Sequence, residues 1–455
     1  MRKSFADILG GIDAETERRT GRKLPAWAAA SASRKAAGLE PLEIPGALPL
    51  EQCSSEETAD FKRSLLAGLF PDGIGTLCDL TCGLGIDSLA FSGFARQVIS
   101  YERSTELALA AARNFKRLGV SNIEVRNEEV GPAVELPECD VIFADPARRD
   151  GVGRKVFRLE DCSPDIRPLL PSLLAKAGTV LLKLSPMADI SLIAGELGEC
   201  LEQVHIISLR SEVKELLCLL RRGHTGTYTV TARELGAEGA SGHNTYDVSL
   251  RGANGSDSTP FNVSQRDSGK FSFTPDEERE AEATYCPEPQ PGQLLLEPRG
   301  ALMKAGAYKL ICSRFGLAKL APSTHLYIGE AAAAVVADDS GTGAPADKET
   351  VMAGFQSRGN SGTGLPEVMG TAPAGASVPE ALFKIFRIKE VRQFSGQAVK
   401  ALGKLYPDAE VSARNLPLSS DELRKRMAVR GGGTHHIFGC STSAGKLLIV
   451  AEILR

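Results

Sequence analysis

The 455-residue sequence is 42% hydrophobic and 24% charged, a composition typical of a globular chain with room for roughly two to four domains. No apolar run approaches the ~18–20 residues of a membrane-spanning helix, and residues 1–11 lack the apolar stretch of a secretory signal. The ten cysteines are scattered without a C-x-x-C pair, which argues against a zinc site and against a disulfide framework. We therefore expect a reduced, cytoplasmic protein and assign no metal.

The charge is distributed unevenly along the chain. Residues 381–455 hold 13 Lys and Arg against 6 Asp and Glu, a net charge of +7. The other 380 residues hold 40 against 51, a net charge of −11. A basic module joined to an acidic body is the pattern expected of a protein that binds a polyanion with one end only.

The N-terminal part, residues 1–76, is predicted to be mostly helical. Its stretch 54–57, Ser-Ser-Glu-Glu, has capping-box spacing, in which an N-cap serine precedes a glutamate by three positions. Apolar residues at helical intervals follow over 58–70, and Pro-Asp-Gly at 71–73 ends the predicted helix.

From residue 77 onward, short apolar or β-branched runs alternate with helical stretches. The predicted strands lie at residues 77–80, 97–101, 123–126, 139–144 and 179–184. Such alternation is typical of an α/β fold, a parallel sheet with helices on both faces. Two further runs, 204–209 and 215–221, lie close enough in sequence to form an antiparallel pair at the sheet edge.

The composition changes after about residue 222. Residues 236–270 and 338–379 are rich in Gly, Ser and Asp, which predicts a loop insertion and a flexible linker. Between them, strands are predicted on either side of a single helix over 301–315. Alternating strands and helices return over 380–455 and predict a compact α+β module.

The strongest motif is Leu-Cys-Asp-Leu-Thr-Cys-Gly-Leu-Gly-Ile-Asp at residues 77–87. Asp79 ends a strand, and a turn with Gly83 and Gly85 leads into a helix. Glycines suit this turn because a Cβ would block close approach of the backbone to a ligand, and the helix amides favour a carboxylate or phosphate. Glu102, at the end of the next strand, is placed to hold both hydroxyls of a ribose.

Two nucleotide cofactors suit this arrangement. A dinucleotide-binding loop usually has a third glycine where this chain has Ser88, and a pyrophosphate would fit poorly beside Asp79 and Asp87. S-adenosylmethionine carries a sulfonium and an ammonium, and Asp79 is placed to bind the ammonium. The sequence therefore favours S-adenosylmethionine, and NAD with an oxidoreductase activity is the alternative.

A second motif, Asp-Val-Ile-Phe-Ala-Asp-Pro-Ala-Arg-Arg, occupies residues 140–149. An apolar strand ends in Asp145-Pro146 at the carboxyl edge of the sheet, where α/β folds bind ligands. Proline stiffens the turn, and Asp145 can accept a hydrogen bond from a substrate amino group. An Asp-Pro pair often only caps a turn. Its register with the glycine loop and Glu102 favours a role in the site.

Residues 77–222 resemble a class I S-adenosylmethionine-dependent methyltransferase. The resemblance rests on the glycine loop at 79–85, on Glu102 as the ribose acid, and on Asp-Pro-Ala-Arg at 145–148 as the fourth motif. It implies a Rossmann-like sheet and a methyl-transfer reaction.

Further segments resemble bacterial methyltransferases of the THUMP-like-domain family. They lie at residues 51–56, 183–187, 215–217, 297–306 and 414–417. In that family a small ferredoxin-like domain and a C-terminal THUMP-like domain flank the enzyme. THUMP domains are similar to RNA-binding modules of tRNA-modifying enzymes, so the resemblance implies RNA, either tRNA or rRNA, as the substrate and partner. No membrane partner is expected, and the sequence does not reveal the oligomeric state.

The predicted domain organisation combines these observations. It consists of a helical N-terminal segment (1–76), a methyltransferase domain (77–222), a ferredoxin-like α+β domain with a loop insertion (223–337), a flexible linker (338–379) and a THUMP-like RNA-binding domain (380–455).

The fourth motif leaves the acceptor atom open. Methylases of exocyclic amines usually carry an aromatic residue where this chain has Arg148, whose guanidinium can stack or hydrogen-bond instead. Asp-Pro-Ala-Arg also resembles uracil-C5 methylases, which need a cysteine where this chain has Ser185, a far poorer nucleophile. Cys162 could replace that cysteine, although a buried structural thiol is the better interpretation. We expect N-methylation of an RNA base, with C5-methylation or a catalytically inactive RNA-binding protein as alternatives.

The candidate site residues fall into three groups. The catalytic candidates are Asp145, Pro146 and Arg148. The cofactor-binding candidates are Asp79, Thr81, Gly83, Gly85, Glu102, Asn127 and Glu128. The RNA-binding candidates are Arg414, Arg424, Lys425, Arg426 and Arg430.

Some of these assignments have alternatives. Asn127 and Glu128 follow the third strand, where relatives often place an acid for the adenine amino group, but a solvated loop would look the same. The basic stripe at 424–426 either contacts phosphate or is a solvated helix face. Lys183, just after an apolar run, can pair with Asp145 or with a substrate phosphate.

Overall fold

The computed structural model describes residues 31, 34–148, 158–236, 269–329 and 378–454. It divides into two compact units: unit 1 comprises Met1–Arg279 and Arg299–Gly306, and unit 2 comprises Glu280–Pro298 and Ala307–Arg455. Most of the predicted loop over 236–270 and of the predicted linker over 338–379 lies outside the described residues, as does most of the first half of the predicted helical segment.

Unit 1 is built on a nine-stranded sheet. Its strands are β1 (Ile74–Asp79), β2 (Ala95–Tyr101), β3 (Ile123–Arg126), β4 (Cys139–Ala144), β7 (Ala177–Leu184), β8 (Leu201–Leu209), β9 (Glu212–Arg221), β10 (Thr229–Leu235) and β11 (Lys270–Phe273). A separate two-stranded ribbon pairs β5 (Ala147–Arg148) with β6 (Cys162–Ser163).

The strand order is β11-β10-β8-β9-β7-β4-β1-β2-β3. The block from β7 to β3 is parallel, and β9 runs antiparallel between β7 and β8. The predicted α/β fold class is therefore confirmed. The antiparallel pair expected from 204–209 and 215–221 is also present as β8 and β9.

The central strands of unit 1 are apolar because both faces of the sheet are covered. In β4, four consecutive residues from Val141 to Ala144 are buried, and successive strand residues point to opposite faces. On one face, Phe143 meets Phe91 edge to face with ring centroids 5.1 Å apart. Because β1, β2 and β4 run parallel, their carboxyl ends lie at one sheet edge.

The helices of unit 1 are α1 (Ala47–Gln52), α2 (Glu56–Leu69), α3 (Ile86–Ser92), α4 (Thr105–Arg117), α5 (Ile166–Lys176), α6 (Ile190–Leu197), α7 (Pro275–Glu280, which ends at the first residue of unit 2) and α8 (Gly300–Ala305). The N-cap of α2 is Ser55, whose hydroxyl accepts a hydrogen bond from the Thr58 amide at 3.3 Å. The capping-box spacing had pointed to Ser54 instead. Ser54 is turned toward the sheet edge, which gives it a different role.

The sheet extends beyond the limits expected from the sequence. β1 begins at Ile74, and β10 and β11 add two strands after residue 222, where the ferredoxin-like domain was expected to start. The helix predicted over 301–315 is two helices, α8 and α9 (Leu310–Phe315), because Gly306 at φ +81° ends the first. α8 belongs to unit 1, where the Ala301 amide donates to Ser208 Oγ at 3.2 Å.

Unit 2 contains a seven-stranded sheet. Its strands are β12 (Leu294–Pro298), β13 (Ala318–Ala321), β14 (Thr324–Gly329), β15 (Phe383–Gln393), β16 (Glu410–Arg414), β17 (His435–Thr442) and β18 (Gly445–Ile453). The order is β13-β14-β12-β15-β18-β17-β16. β12 pairs antiparallel with β15, so both predicted C-terminal domains contribute to one sheet.

Two helices, α10 (Gly396–Leu405) and α11 (Ser420–Met427), share an apolar core with the strands of unit 2. Gly403 allows them to approach closely, because a Cβ there would lie 1.9 Å from the Met427 carbonyl oxygen. Across both units, no helix among the described residues combines the length and apolar character needed to cross a membrane.

Candidate active site

A cavity of about 340 Å³ opens where β1, β2, β3 and β4 of unit 1 end. Its lining includes Gly83, Glu102, Glu128 and Asp145. Ligand pockets in proteins span roughly 300–1,000 Å³, so the cavity can hold a small cofactor. The edge position is where α/β sheets bind ligands.

The two glycines of the loop after β1 are needed for different reasons. Both have positive φ, +54° at Gly83 and +83° at Gly85. A Cβ on Gly85 would lie 2.3 Å from Cζ of Phe115 in α4, so Gly85 permits helix packing. A Cβ on Gly83 would meet no described atom within 4 Å. Gly83 therefore remains the position where a ligand can approach the backbone.

Glu102 lies 8% exposed at the end of β2 and organises the loops around it. Its Oε2 accepts a hydrogen bond from the Gly83 amide and its Oε1 from the Ser104 amide, both at 2.8 Å. Since each carboxylate oxygen can accept two hydrogen bonds, both oxygens can also accept from a ribose hydroxyl.

Asp79 is placed differently from the expected ligand contact. It is 1% exposed, and its carboxyl accepts hydrogen bonds from the Ser88 hydroxyl and, at 3.0 Å, from the Thr81 amide. Burial raises the pKa of Asp79 to about 7. Among the described residues, Thr81 and Gly83 line the cavity and Asp79 does not. Its observed contacts hold the glycine loop.

Asp145 follows β4 and is anchored through both its backbone and its side chain. Its amide donates to Thr81 Oγ1 at 2.7 Å, and its Oδ2 accepts from the Lys183 ammonium. Burial alone would lower the pKa of Lys183, but the carboxylates of Asp145, Asp87 and Glu215 hold it above its usual value. The expected pairing of Lys183 with Asp145 is present.

The other two catalytic candidates, Pro146 and Arg148, follow Asp145 in the chain. Pro146 is buried, and Arg148 belongs to β5, where it pairs with Cys162 of β6. The Arg148 side chain is outside what the structure describes, so its predicted role stays a prediction.

Asn127 and Glu128 take separate positions after β3. The side-chain Nδ2 of Asn127 donates to the Glu102 carbonyl at 2.8 Å, and its Oδ1 accepts from the Thr105 hydroxyl at 2.8 Å. These bonds lock the turn between β2 and α4. Of the two residues, Glu128 lines the cavity.

A buried charge cluster, Lys62, Glu215, Asp87 and Ser54, adjoins the cavity and was missed by the sequence analysis. Lys62 Nζ lies 2.9 Å and 3.0 Å from the two Glu215 oxygens, and the Lys62 side chain is 0% exposed. The available signal was a lysine on the face of α2 that also carries Ala59 and Leu66. Only folding brings Glu215 to that lysine, 153 residues away.

The cysteines near the site do not resemble nucleophiles. Cys162 is fully buried, and its Sγ donates to the Arg158 carbonyl at 3.6 Å. Cys53 lines the cavity, and burial raises the pKa of its thiol. Because the thiolate is the attacking form, a raised pKa disfavours covalent catalysis.

The predicted RNA-binding residues all lie in unit 2, where three of them form ion pairs. Arg414 pairs with Glu297, and Arg430 pairs with Asp408 at 2.7 Å. Arg424 lies 3.8 Å from Asp421. Lys425 and Arg426 are exposed on α11. The RNA-binding role of these five residues stays a prediction.

Within the described ranges, no group of three or more His, Cys, Asp or Glu side chains could hold a metal ion. The assignment of no metal stays a prediction.

Two family models match the C-terminal part of the chain. Residues 295–334 match a ferredoxin-like domain, and residues 383–452 match a THUMP domain-like model. A proposed methyltransferase from Porphyromonas gingivalis W83, whose crystal structure is known, is 27% identical to this chain. The similarity covers 100% of this chain and 95% of that one, with a TM-score of 0.66. The chain therefore contains ferredoxin-like and THUMP-like domains and shares its fold with the Porphyromonas protein, in line with the resemblance noted in the sequence.

Curated relatives match shorter stretches of this chain. An uncharacterized S-adenosylmethionine-dependent methyltransferase from Mycobacterium tuberculosis is 28% identical over 178 residues, 39% of this chain and 46% of that protein. An uncharacterized RNA methyltransferase from Protochlamydia amoebophila is 27% identical over 117 residues, 24% of this chain and 26% of that protein. The matched region thus spans less than half of either relative. The fold predicted from the sequence, with its ferredoxin-like and THUMP-like domains, is confirmed.

Proposed function

We propose that this protein transfers a methyl group from S-adenosylmethionine to a nitrogen of an RNA base, in tRNA or rRNA. The observation that carries the proposal is the meeting of the glycine loop, Glu102 and Asp145 in one cavity. A carboxylate for a ribose and a carboxylate for an amino group then face the same small volume.

The residues present fit the cofactor. Glu102 retains acceptor capacity for ribose hydroxyls, Gly83 leaves space beside its backbone, and Glu128 is available to an adenine amino group. When bound, S-adenosylmethionine supplies an electrophilic methyl group on a sulfonium. The acidic lining suits that positive charge, whereas a pyrophosphate would meet several carboxylates.

Asp145 is proposed to orient the acceptor. The Lys183 ammonium contacts Asp145 Oδ2, which leaves Oδ1 to accept a hydrogen bond from a base amino group. Thr81 fixes the backbone of Asp145, so the carboxylate is held before the substrate arrives. Alignment of this kind accounts for much of the rate in a simple displacement reaction. Pro146 would stiffen this turn, and Arg148 would steady the base.

An RNA substrate is supported by three observations. The Protochlamydia relative is described as an RNA methyltransferase, a THUMP domain-like model matches 383–452, and Lys425 and Arg426 are exposed on α11. We propose that these basic side chains contact phosphates, with Arg424 beside them. Arg414 and Arg430 remain proposed phosphate contacts, although each also pairs with a carboxylate, that of Glu297 or Asp408.

Two measurements test the proposal. Calorimetric titration with S-adenosylhomocysteine and, separately, with NADH should show binding of the first; binding of NADH alone would overturn it. Incubation with labelled S-adenosylmethionine and bulk cellular RNA should label the RNA, and nucleoside mass spectrometry then identifies the modified atom. A C5-methylpyrimidine product would contradict N-methylation, and unlabelled RNA would indicate a binding protein.

The cellular location and the domain limits are also proposals. Cysteines scattered without paired spacing support a reducing compartment, for which we propose the cytoplasm. The limits of the domains follow the sequence prediction, except that β10 and β11 extend the methyltransferase sheet beyond residue 222.

A further inference from the structure

Beneath the glycine loop, Lys62 of α2 is the centre of a buried charge cluster. Its ammonium contacts both Glu215 oxygens, donates to Ser54 Oγ at 3.2 Å, and lies 3.2 Å from Asp87 Oδ1. The side chains of Lys62 and Glu215 are 0% and 3% exposed. An ion pair buried this deeply costs desolvation energy, so it is weak evidence for stability alone.

The cluster reaches the cavity through two of its members. Ser54 and Asp87 line the cavity, and Ser54 Oγ donates to Asp87 Oδ2 at 2.8 Å. Among the described residues, Asp87 Oδ1 is buried against the Lys62 ammonium without hydrogen-bond geometry, which leaves Oδ2 as the oxygen that can face the cavity. Because a carboxylate oxygen can accept two hydrogen bonds, Asp87 Oδ2 keeps acceptor capacity beside the bond from Ser54.

The order of the strands indicates which part of the cofactor would lie near Asp87. Along the sheet edge, Glu128 follows β3, Glu102 follows β2, the glycine loop follows β1, and Asp145 follows β4. With the ribose at Glu102, one end of the cofactor lies toward Glu128. The other end lies toward the glycine loop, α3 and Asp87.

We infer that Lys62 is a positioning residue that holds Ser54 and Asp87 in place to bind the α-amino acid end of the cofactor. The inference rests on the proposed function. Asp87 accepts from the ligand ammonium, a role that the sequence pattern had suggested for Asp79. Lys62 neutralises part of the acidic cluster, so that Asp87 stays fixed, and Glu215 fixes Lys62 in turn.

The test compares two ligands that differ at this end. S-adenosylhomocysteine has the amino acid group, whereas 5′-methylthioadenosine keeps the adenosine and sulfur but lacks it. The variant is Lys62→Met/Glu215→Leu, which removes one charge of each sign and leaves no unpaired partner within that pair. The Kd of each ligand is measured by calorimetry on the full-length chain.

For the double variant, the Kd of S-adenosylhomocysteine should rise about 10- to 100-fold, the range expected for losing hydrogen bonds to a charged group. The Kd of methylthioadenosine should change by less than about threefold. Equal losses for both ligands, or no loss for either, would overturn the positioning role. Failure of the unmodified protein to bind either ligand would instead overturn the proposed function.

Single substitutions keep the test open if the double variant does not fold. Asp87→Asn and Ser54→Ala act directly at the cavity and should lower the affinity for S-adenosylhomocysteine more than that for methylthioadenosine. Glu102→Gln is the matched control, because a ribose contact is common to the two ligands and both affinities should fall. An Asp87→Asn variant with the same ligand preference as the wild type would contradict the assignment of the amino acid end.

Discussion

Two regions of the molecule carry charged side chains that the sequence predicts: the acidic sheet edge of unit 1 and the basic helix α11 of unit 2. The charged side chains are buried at the sheet edge and exposed on α11. At the edge, Asp79 and Glu102 are 1% and 8% exposed, and each accepts hydrogen bonds. On α11, Lys425 and Arg426 are exposed. Buried carboxylates are held in place by their hydrogen bonds, which suits a small ligand of defined shape. Exposed basic side chains suit the phosphates of a nucleic acid, whose binding is driven by counterion release.

The largest effect should come from the acceptor carboxylate at the buried edge. Asp145→Ala is expected to lower methyl transfer to RNA about 1,000-fold, because the acceptor amino group loses its orienting hydrogen bond. The Kd for S-adenosylhomocysteine should stay within about threefold of the wild type. Initial rates with labelled cofactor, together with calorimetry, measure both quantities.

The control for this substitution is Asp145→Ala/Lys183→Met, which also removes the lysine left without its partner. It should be equally inactive. Wild-type activity in either variant would show that Asp145 does not orient the acceptor.

The second prediction tests how strongly burial raises the pKa of Asp79. Its pKa is raised from an ordinary value of 3.8 to about 7, so between these values the folded chain binds the extra proton. The stabilising effect of that proton is complete below the unfolded pKa and is lost as the pH rises through 7. Relative to Asp79→Asn, the wild type should lose about 3 kcal/mol of unfolding free energy between pH 5 and pH 8.

Urea denaturation of both proteins at each pH measures this difference. Parallel curves for the wild type and the asparagine variant would mean that the Asp79 carboxyl is ionised at neutral pH.

The third prediction separates the two glycines of the same loop. Gly85→Ala should lower the free energy of unfolding by about 3 kcal/mol, because positive φ and the collision with Phe115 add together. Gly83→Ala meets no described atom and should cost about 1 kcal/mol. Denaturation midpoints give both values.

We expect the two glycine substitutions to have the opposite order of effect on cofactor affinity. Both glycines line the cavity, but a Cβ on Gly85 would be directed at Phe115, whereas one on Gly83 would meet no described atom within 4 Å. Gly83→Ala should therefore weaken binding of S-adenosylhomocysteine more than Gly85→Ala does, once both variants are folded. Identical effects of the two variants on stability would contradict the close packing on Phe115.

The smallest effect is expected at the exposed helix. Lys425→Ala/Arg426→Ala should weaken RNA binding roughly tenfold and reduce the slope of log K against log salt by about 1.5, through the loss of two phosphate contacts. Filter binding at several salt concentrations measures the slope. Lys400→Ala/Lys404→Ala, on the neighbouring helix α10, is the matched control, and equal slopes for the two pairs would remove α11 from the interface.

The sequence predicted the groups of the active site better than their roles. Glu102 and Asp145 follow apolar strands in a recurring pattern, and both line the cavity. Asp79 and Asp87 also flank the loop, but the sequence does not show which side chain turns inward. The direction of the Asp79 side chain depends on the Ser88 hydroxyl, which donates a hydrogen bond to the buried carboxyl group.

Contacts between distant parts of the chain were beyond the sequence patterns. The pairing of Lys62 with Glu215 depends on α2 packing beside β9. Lys62 is notable for its place on the apolar face of α2, but nothing in the sequence identifies Glu215 as its partner. The break at Gly306 was also missed, since apolar residues continue on both sides of it. Local periodicity predicts elements, whereas these features arise from tertiary packing.

The shared sheet of unit 2 bears on how the C-terminal region can be dissected. β15 lies between β12 and β18, with Leu295 opposite Phe386, so both family-model matches depend on one strand. A chain truncated before residue 380 would leave β12 as a bare edge with apolar side chains, which invites aggregation. Point substitutions therefore report on RNA binding more cleanly than deletions, and evolution would have to exchange these two modules together.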